Sequence, residues 1–131
     1  EYFMVKKGAI YKCTGCGVVV ESLWDGNESL FCCGSQMKEL IANTSDGAKE
    51  KHVPVIERQG KKVTVKVGSL PHPMTNEHYI LFVELVAGDT VMHHDFKVGD
   101  TVAEATFYVE DENVELRARE FCNLHGLWAN K

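Results

Sequence analysis

A chain of 131 residues that is 44% hydrophobic and 25% charged has the composition of a soluble globular protein, either one domain or a very small domain joined to a medium one. Its net charge of −5 argues against a nucleic-acid-binding protein, which needs many Lys and Arg side chains against the phosphates. No apolar run approaches the roughly 20 residues that span a bilayer, which argues against a membrane protein. Residues 1–7 lack the apolar core and cleavage site of a secretory signal, so we expect a cytoplasmic protein.

The four cysteines of the N-terminal segment predict a metal site. These residues are Cys13, Cys16, Cys32 and Cys33. An odd total of five cysteines and a Cys-x-x-Cys spacing favour metal ligation over disulfides. Residues 1–42 are too few to bury enough apolar surface for independent folding, so a bound metal is the expected stabilising element. Gly15 and Gly17 permit the positive φ that a tight turn between the first two thiolates can require.

The spacing of these cysteines does not identify the metal, because four thiolates select zinc or iron. A structural zinc ribbon is the commonest use of four cysteines. The second pair of a zinc ribbon normally repeats the two-residue gap, whereas Cys32 and Cys33 are adjacent. Because neighbouring side chains point apart, we expect a distorted tetrahedron around the ion.

Residues 43–131 change to the period-two pattern of β-strands. The turn-forming sequence at 43–47 marks the boundary. Strands are predicted at 63–67, 79–86, 90–97, 102–109 and 114–121. The second of these is expected to be central, because it is apolar on both faces except at Glu84. The pattern predicts an antiparallel β-sandwich, and a single helical turn is predicted at 37–42.

All six histidines lie in this second domain, and four of them stand at edges between strand and turn. These four are His52, His72, His78 and His125. Together with Cys122 they make five potential ligands, which is too many for tetrahedral zinc and leaves one octahedral position open around iron. Alternatively, Cys122 is a small buried hydrophobic residue. His93 and His94 fall on opposite faces of a predicted strand and are interpreted as bystanders.

Several motifs in order resemble those of desulfoferrodoxin, the two-iron form of superoxide reductase, over essentially the whole chain. They are YKCTGCG at 11–17, CCG at 32–34, TSDGAKEKHVPVIE at 44–57, HPM at 72–74, EH at 77–78 and EFCNLHG at 120–126. Three features look unusual for the family: Pro71, Leu127 and the His93-His94 pair. None of them removes a motif ligand.

The resemblance implies two iron ions per chain. Cys13, Cys16, Cys32 and Cys33 would hold the first iron in a desulforedoxin-like domain. The second iron would lie in an immunoglobulin-like sandwich, with His52, His72, His78 and His125 as equatorial ligands and Cys122 as the axial ligand. The resemblance also implies a homodimer and reduced rubredoxin, or a similar protein, as the electron donor.

The implied activity is the one-electron reduction of superoxide to hydrogen peroxide without release of dioxygen, a detoxifying role in oxidative stress. Lys49 and Lys51 flank Glu50 beside His52, and such a positive patch can steer a small anion. Lys51 is the predicted guide of a proton to the product, through water. Glu50 is the predicted sixth ligand of the resting ferric site. Alternatively, Glu50 and Lys51 are simply part of an exposed charged turn.

Three other functions are consistent with parts of the sequence. In a rubredoxin-like electron-transfer protein, the four-sulfur iron would carry the electron and the sandwich would be a non-catalytic scaffold. A zinc-ribbon binding module would be colourless and redox-silent. A superoxide dismutase would release dioxygen together with peroxide.

Overall fold

The computed structural model describes residues 4–46 and 51–130, and the chain forms two compact units, Glu1–Ile41 and Ala42–Lys131. The regular elements of the described residues are β-strands, numbered β1 to β12. Every pairing between strands is antiparallel. In the described part of the chain, no helix is long and apolar enough to cross a membrane.

The first unit consists of short strands around a small core. Its strands are β1 (Ile10–Lys12), β2 (Val19–Glu21), β3 (Phe31–Cys32), β4 (Ser35–Gln36) and β5 (Lys38–Glu39). They form a three-stranded sheet in the order β2-β1-β5 and a β3-β4 hairpin. The core consists of Val5, Tyr11, Cys13 and Met37 with a few partly buried neighbours. So few buried side chains contribute little hydrophobic stabilisation, which agrees with the need for a metal.

The helical turn predicted at 37–42 is wrong, because this segment contains β5. Lys38 and Glu39 pair with β1. The amide of Leu40 donates to Ile10 O at 2.8 Å, and that of Met37 donates to Leu30 O at 2.8 Å. Cross-strand hydrogen bonds and the burial of Met37 therefore outweigh the local helical preference.

The second unit is an antiparallel β-sandwich, as predicted. Its strands are β6 (Pro54–Gln59), β7 (Lys62–Val67), β8 (Ile80–Ala87), β9 (Thr90–Asp95), β10 (Glu104–Tyr108), β11 (Leu116–Cys122) and β12 (Gly126–Ala129). One sheet has the order β10-β7-β6 and the other has the order β12-β11-β8-β9. The core between the sheets includes Val63, Val65, Ile80, Val83 and Leu85, each with 0% exposure. The strand β8 lies inside its sheet, which confirms that it is central.

Antiparallel pairing brings the ends of several strands to one end of the sandwich. Pro54 at the start of β6 pairs with Val67 at the end of β7. Ile80 at the start of β8 pairs with Cys122 at the end of β11. Three segments therefore lie at this end of the sandwich: the one before β6, the one between β7 and β8, and the one between β11 and β12. These segments carry the histidines of the predicted site.

Candidate metal centres

The sulfur atoms of the first unit converge as the sequence predicted. Each of the four cysteines offers one sulfur, and these atoms all lie within 4.8 Å of one another. The Sγ of Cys32 is 3.6 Å from that of Cys16 and 3.9 Å from that of Cys33. In a tetrahedral site with metal–sulfur bonds of about 2.3 Å, neighbouring sulfurs are about 3.8 Å apart. The four cysteines therefore fit one ion.

Backbone hydrogen bonds form the first half of this centre. The amide of Cys16 donates to Cys13 Sγ at 3.4 Å, and that of Gly17 donates to Cys13 O at 2.9 Å. Gly17 has the positive φ that the sequence predicted, at 84°. Gly15 serves a different purpose, because a Cβ there would lie 3.0 Å from Cys33 Cβ. Gly15 thus makes room for the opposite half of the centre.

Adjacent cysteines can share the centre because the backbone turns sharply at the second of them. Cys33 has φ of 54° and Gly34 has φ of 76°, so two successive residues are left-handed. Such a conformation at a non-glycine residue is uncommon and points to a local requirement. It turns the Cys33 side chain back toward Cys32. The distortion expected around a bound ion concerns ligand angles and stays a prediction.

The electrostatics of the four thiols also suit a cation. A hydrogen bond from the Cys16 amide lowers the pKa of Cys13 to about 6. Hydrogen bonding to Cys13 and Cys16 raises the pKa of Cys32 to about 12. One thiolate thus suppresses the ionisation of its neighbour, and a bound cation reverses that effect by stabilising every thiolate.

Four imidazole rings form a square at one end of the sandwich. Ring centroids are 4.8 Å apart for His52–His72, 4.5 Å for His72–His78, 4.9 Å for His78–His125 and 4.8 Å for His125–His52. Across the diagonal, His52 and His78 are 6.2 Å apart. Rings that are neighbours in the square are steeply inclined to each other, with interplanar angles between 65° and 79° on all four edges.

Ring nitrogens and one sulfur converge at this square. His52 Nε2 lies 3.0 Å from His72 Nε2 and 3.2 Å from His125 Nδ1. Cys122 Sγ is 3.8 Å from the same atoms of His72 and His125. Two nitrogens at right angles on one ion, each bonded at about 2.1 Å, lie about 3.0 Å apart. The five donors that the sequence singled out are therefore brought together with a spacing that suits one metal ion.

Comparison with known proteins assigns the family. The family model described as "Desulfoferrodoxin" matches residues 44–131, and that described as "Desulfoferrodoxin, N-terminal domain" matches residues 5–40. The desulfoferrodoxin of Nitratidesulfovibrio vulgaris is 50% identical over 119 residues, with 91% of this chain and 92% of the relative covered. The desulfoferrodoxin homolog of Archaeoglobus fulgidus is 48% identical over 119 residues, covering 91% and 93%. The chain belongs to the desulfoferrodoxin family.

A solved structure of similar fold is the superoxide reductase from Treponema pallidum. It superposes with a TM-score of 0.72 at 34% identity, and the match covers 94% of this chain and 96% of that one. The four-cysteine centre and the four-histidine, one-cysteine centre match the two iron centres of desulfoferrodoxin. The family therefore decides between zinc and iron, which the spacing of the cysteines left open.

Four of the five predicted donors of the second desulfoferrodoxin centre lie at or near a strand end, and His72 lies in the segment that joins β7 to β8. His52 precedes β6, His78 precedes β8, and His125 lies in the turn between β11 and β12. Cys122 is the last residue of β11, where the register with β8 shifts between Phe121 and Cys122. Bulges of this kind re-aim side chains next to functional sites, and this one accompanies the fully buried sulfur of Cys122.

Hydrogen bonds and stacking orient two of the rings. The Nδ1–H of His72 donates to Pro73 O at 2.8 Å, which directs Nε2 toward the other ligands. Trp128 stacks on His52 at 4.8 Å with an angle of 17°. Its Nε1–H also donates to His125 O at 3.1 Å. Trp128 thus contacts two of the segments that carry the histidines, a role that the sequence pattern does not indicate.

Asn123 was also missed, although it lies between two ligands. The amide of Tyr79 donates to Asn123 Oδ1 at 2.9 Å, and Asn123 Nδ2 donates to Glu77 O at 3.0 Å. The backbone N–H of Asn123 donates to Tyr79 O at 3.1 Å. This residue therefore ties the His78 segment to the Cys122–His125 turn. The sequence does show an amide side chain in the loop between two predicted ligands. It does not show its partners, because they are distant in the chain.

A buried carboxyl group lies just before Cys122. Glu120 has 0% exposure, and within the described residues neither of its carboxyl oxygens has a hydrogen-bond partner. Burial, followed by the charge of Asp46, raises the pKa of Glu120 to about 9. Burial therefore makes this carboxyl group harder to ionise than an exposed glutamate.

The remaining residues that the sequence singled out are not among the five donors. Glu50 and Lys49 fall outside the described residues. Lys51 is half-buried and directly precedes His52. His93 instead contacts Glu84 and Asp95, and the ring of His94 packs edge-on against Phe96 at 4.9 Å.

Proposed function

We propose that this protein is a superoxide reductase that reduces superoxide to hydrogen peroxide at the four-histidine, one-cysteine centre and releases no dioxygen. The observation that carries this conclusion is the convergence of the five donors at one end of the sandwich. Ferrous iron held there supplies one electron per superoxide, and two protons complete the peroxide. Five protein donors would leave room for a small molecule at a metal that accepts six ligands.

The burial of the ligands indicates which side of the square faces the substrate. Cys122 is fully buried, whereas His125 is exposed and His78 is partly exposed. A metal held by these donors would have its thiolate ligand on the buried side and would be reached by superoxide from the solvent side. Superoxide is small and needs no deep pocket to reach it. The same arrangement keeps the thiolate away from solvent oxidants.

We propose the following metal ligands. The first iron is held by Cys13, Cys16, Cys32 and Cys33, and the second by His52, His72, His78, His125 and Cys122. The proposed domains, 1–42 and 43–131, each contain one complete set. The assignment is supported by the mutual proximity of the four sulfurs in the first set and of His52, His78, His125 and Cys122 in the second. His72 Nε2 lies 3.0 Å from His52 Nε2 and 3.8 Å from Cys122 Sγ.

Lys51 is the proposed catalytic cation. Its position directly before His52 places a positive charge on the segment that carries a ligand. A cation there attracts the superoxide anion despite the net charge of −5, and it can hold a water that delivers a proton to the product. We propose that Glu50 would act as the sixth ligand of the resting ferric site.

The proposed physiological setting is detoxification in the cytoplasm during oxidative stress. Each turnover consumes one electron, so an electron donor such as reduced rubredoxin must restore the ferrous state. Thiolate ligands require a reducing compartment, which supports a cytoplasmic location. The homodimer implied by the family resemblance belongs to the same proposal.

Product stoichiometry tests this function. The iron-loaded protein is reduced without air and mixed with superoxide, and peroxide and dioxygen are both measured. One peroxide per superoxide with no dioxygen is the expected result. Peroxide and dioxygen in equal amounts would mean dismutation, and no reaction would favour the rubredoxin-like electron carrier. His78→Ala should lose the activity, whereas the matched control His94→Ala should keep it.

A further inference from the structure

The backbone approaches itself very closely next to the second centre. Gly68 follows the last residue of β7 and has φ of 76°. A Cβ at this position would lie 2.1 Å from the carbonyl oxygen of Lys51, 2.7 Å from its carbonyl carbon and 2.9 Å from its Cβ. Real Cβ atoms essentially never approach another heavy atom within 3.0 Å. Glycine is thus favoured here for two reasons: the backbone is left-handed, and there is no room for a Cβ atom beside Lys51.

The same segment is held from a second direction by a carboxylate. Asp46 Oδ1 accepts hydrogen bonds from the amides of His52 and Val53, the latter at 3.0 Å. Downstream, Pro54 pairs with Val67, the residue before Gly68. The carbonyl of Lys51 therefore lies against Gly68, and the amides of the next two residues are held by Asp46.

We propose that Gly68 and Asp46 are positioning residues that hold Lys51 in place for superoxide capture. This inference rests on the proposed function of Lys51 in the preceding subsection. Neither residue is among the ligands, and both act through the backbone of residues 51–53. A side chain at position 68 displaces the Lys51 carbonyl by about 1 Å, and misplacement on that scale can lower a rate by about 100-fold.

Gly68→Ala tests the contact, and Gly99→Ala is its matched control. Gly99 also has positive φ, at 102°, but nothing lies within 4 Å of the Cβ position. Both substitutions impose a left-handed alanine, and only the first creates the clash. Two properties are measured on the iron-loaded protein: the second-order rate with superoxide as a function of ionic strength, and the hydrogen exchange of the His52 and Val53 amides.

For Gly68→Ala we expect the rate at low salt to fall by about 10-fold, the salt dependence to weaken, and both amides to exchange faster, with iron content unchanged. Gly99→Ala should match the wild type in all of these. In a Lys51→Ala background, Gly68→Ala should cause little further loss of rate. Equal behaviour of the two glycine variants, or a full additional loss in that background, would overturn the proposal.

Asp46→Ala keeps the inference testable if Gly68→Ala does not fold. Its control is Asp111→Ala, because Asp111 Oδ1 accepts a comparable hydrogen bond from the Asn113 amide at 2.8 Å, in the turn between β10 and β11 at the other end of the sandwich. Faster amide exchange and a lower rate in Asp46→Ala alone would support positioning, and identical results for the two variants would contradict it. A wild-type protein that does not reduce superoxide would refute the proposed function, whereas the exchange data would still decide whether these residues hold the Lys51 segment.

Discussion

Some residues at the two centres matter because of the room they leave or the hydrogen bonds they make. Sequence patterns reveal these contacts only in part. Gly15 was expected to supply backbone freedom, but its role is to leave room for Cys33. Asn123 joins two ligand segments through both ends of its side-chain amide. In each case the residue type is visible in the sequence, while its partner is brought close only by folding.

Gly15→Ala should weaken metal binding at the four-cysteine centre. The new Cβ would lie 3.0 Å from Cys33 Cβ and 3.4 Å from its Sγ, so the ligand must shift. We expect metal to be lost to a chelator about 10-fold faster, a typical cost of disturbing ligand surroundings. Gly26→Ala is the control, because its nearest atom would be 3.9 Å away. Equal rates of loss would contradict this explanation.

Asn123→Ala should lower the free energy of unfolding of the sandwich. The substitution removes two hydrogen bonds and leaves the Tyr79 amide and the Glu77 carbonyl without that partner. At about 1 kcal/mol for each bond, the expected loss is roughly 2 kcal/mol in denaturant unfolding. Exposed Asn113 provides the control, since Asn113→Ala should change stability by less than about 0.5 kcal/mol. A loss no larger than that of the control would show that the bridge is not stabilising.

Lys51→Ala should slow the capture of superoxide. Removing a cation beside His52 weakens attraction of the anion, so the second-order rate at low salt should fall by about 10-fold. Its dependence on ionic strength should also decrease. Lys62→Ala controls for the loss of one positive charge, because this exposed residue begins β7 at the other end of the sandwich. An unchanged, salt-independent rate in Lys51→Ala would refute the role of this residue.

At the scale of strands, a row of charged side chains crosses β8, β9 and β11. In the sequence, each of these residues only interrupts the apolar pattern of its own strand. Glu84 on β8 lies directly opposite His93 on β9 and Arg119 on β11. Arg119 Nε donates to Glu84 Oε1 at 2.7 Å, and His93 Nδ1 donates to Oε2 at 2.8 Å. His93 Nε2 also donates to Asp95 at 2.6 Å. A carboxylate buried to 1% exposure is thus compensated by two neighbouring strands.

This row predicts that the stabilising effect of His93 depends on pH. Burial lowers the pKa of His93, but hydrogen bonds to Glu84 and Asp95 outweigh this effect and leave the pKa above 6.5. Because the folded pKa is raised, the stabilisation is fully present below the unfolded pKa and is lost as pH rises through the folded value. His93→Gln should therefore destabilise the protein more at about pH 6 than at about pH 9 in denaturant unfolding. His94→Gln is the control, and a pH-independent effect of His93→Gln would contradict the protonated bridge.

At the scale of the whole molecule, the two units differ in what stabilises them. The first unit has few buried apolar side chains around four clustered sulfurs, whereas the sandwich has a core that spans both of its sheets. A small unit of this kind depends on its metal for folding free energy. Because the core of the sandwich is larger, we expect it to fold without a metal.

Cys13→Ser should therefore unfold the first unit selectively. Hydrogen exchange of amides in β1 should become fast, while amides in β7 and β8 should remain protected. Cys122→Ser is the matched control, because it removes a ligand from the sandwich and should leave β1 protected. Protection of β1 in metal-depleted Cys13→Ser would show that the small core is sufficient.

The strands of the sandwich could be predicted from sequence because their pattern is local. Val63, Val65 and Val67 alternate with polar residues, and all three are buried on one face of β7. The prediction failed at 37–42, where β5 is a two-residue strand whose hydrogen bonds come from a neighbour distant in sequence. Such a short element has no period of its own to recognise.

The sequence by itself determined which donors are available: four clustered cysteines, histidines at strand edges, a lone Cys122 and motifs that identify the family. Ligand chemistry belongs to the side chain and its spacing, so it can be read without coordinates. Only the tertiary structure decided that His52 and His125 face each other at 3.2 Å, that Asn123 joins two loops, and that Gly68 must lie against Lys51. These contacts join residues far apart in the chain, and antiparallel pairing of the strands brings them to the same end of the sandwich.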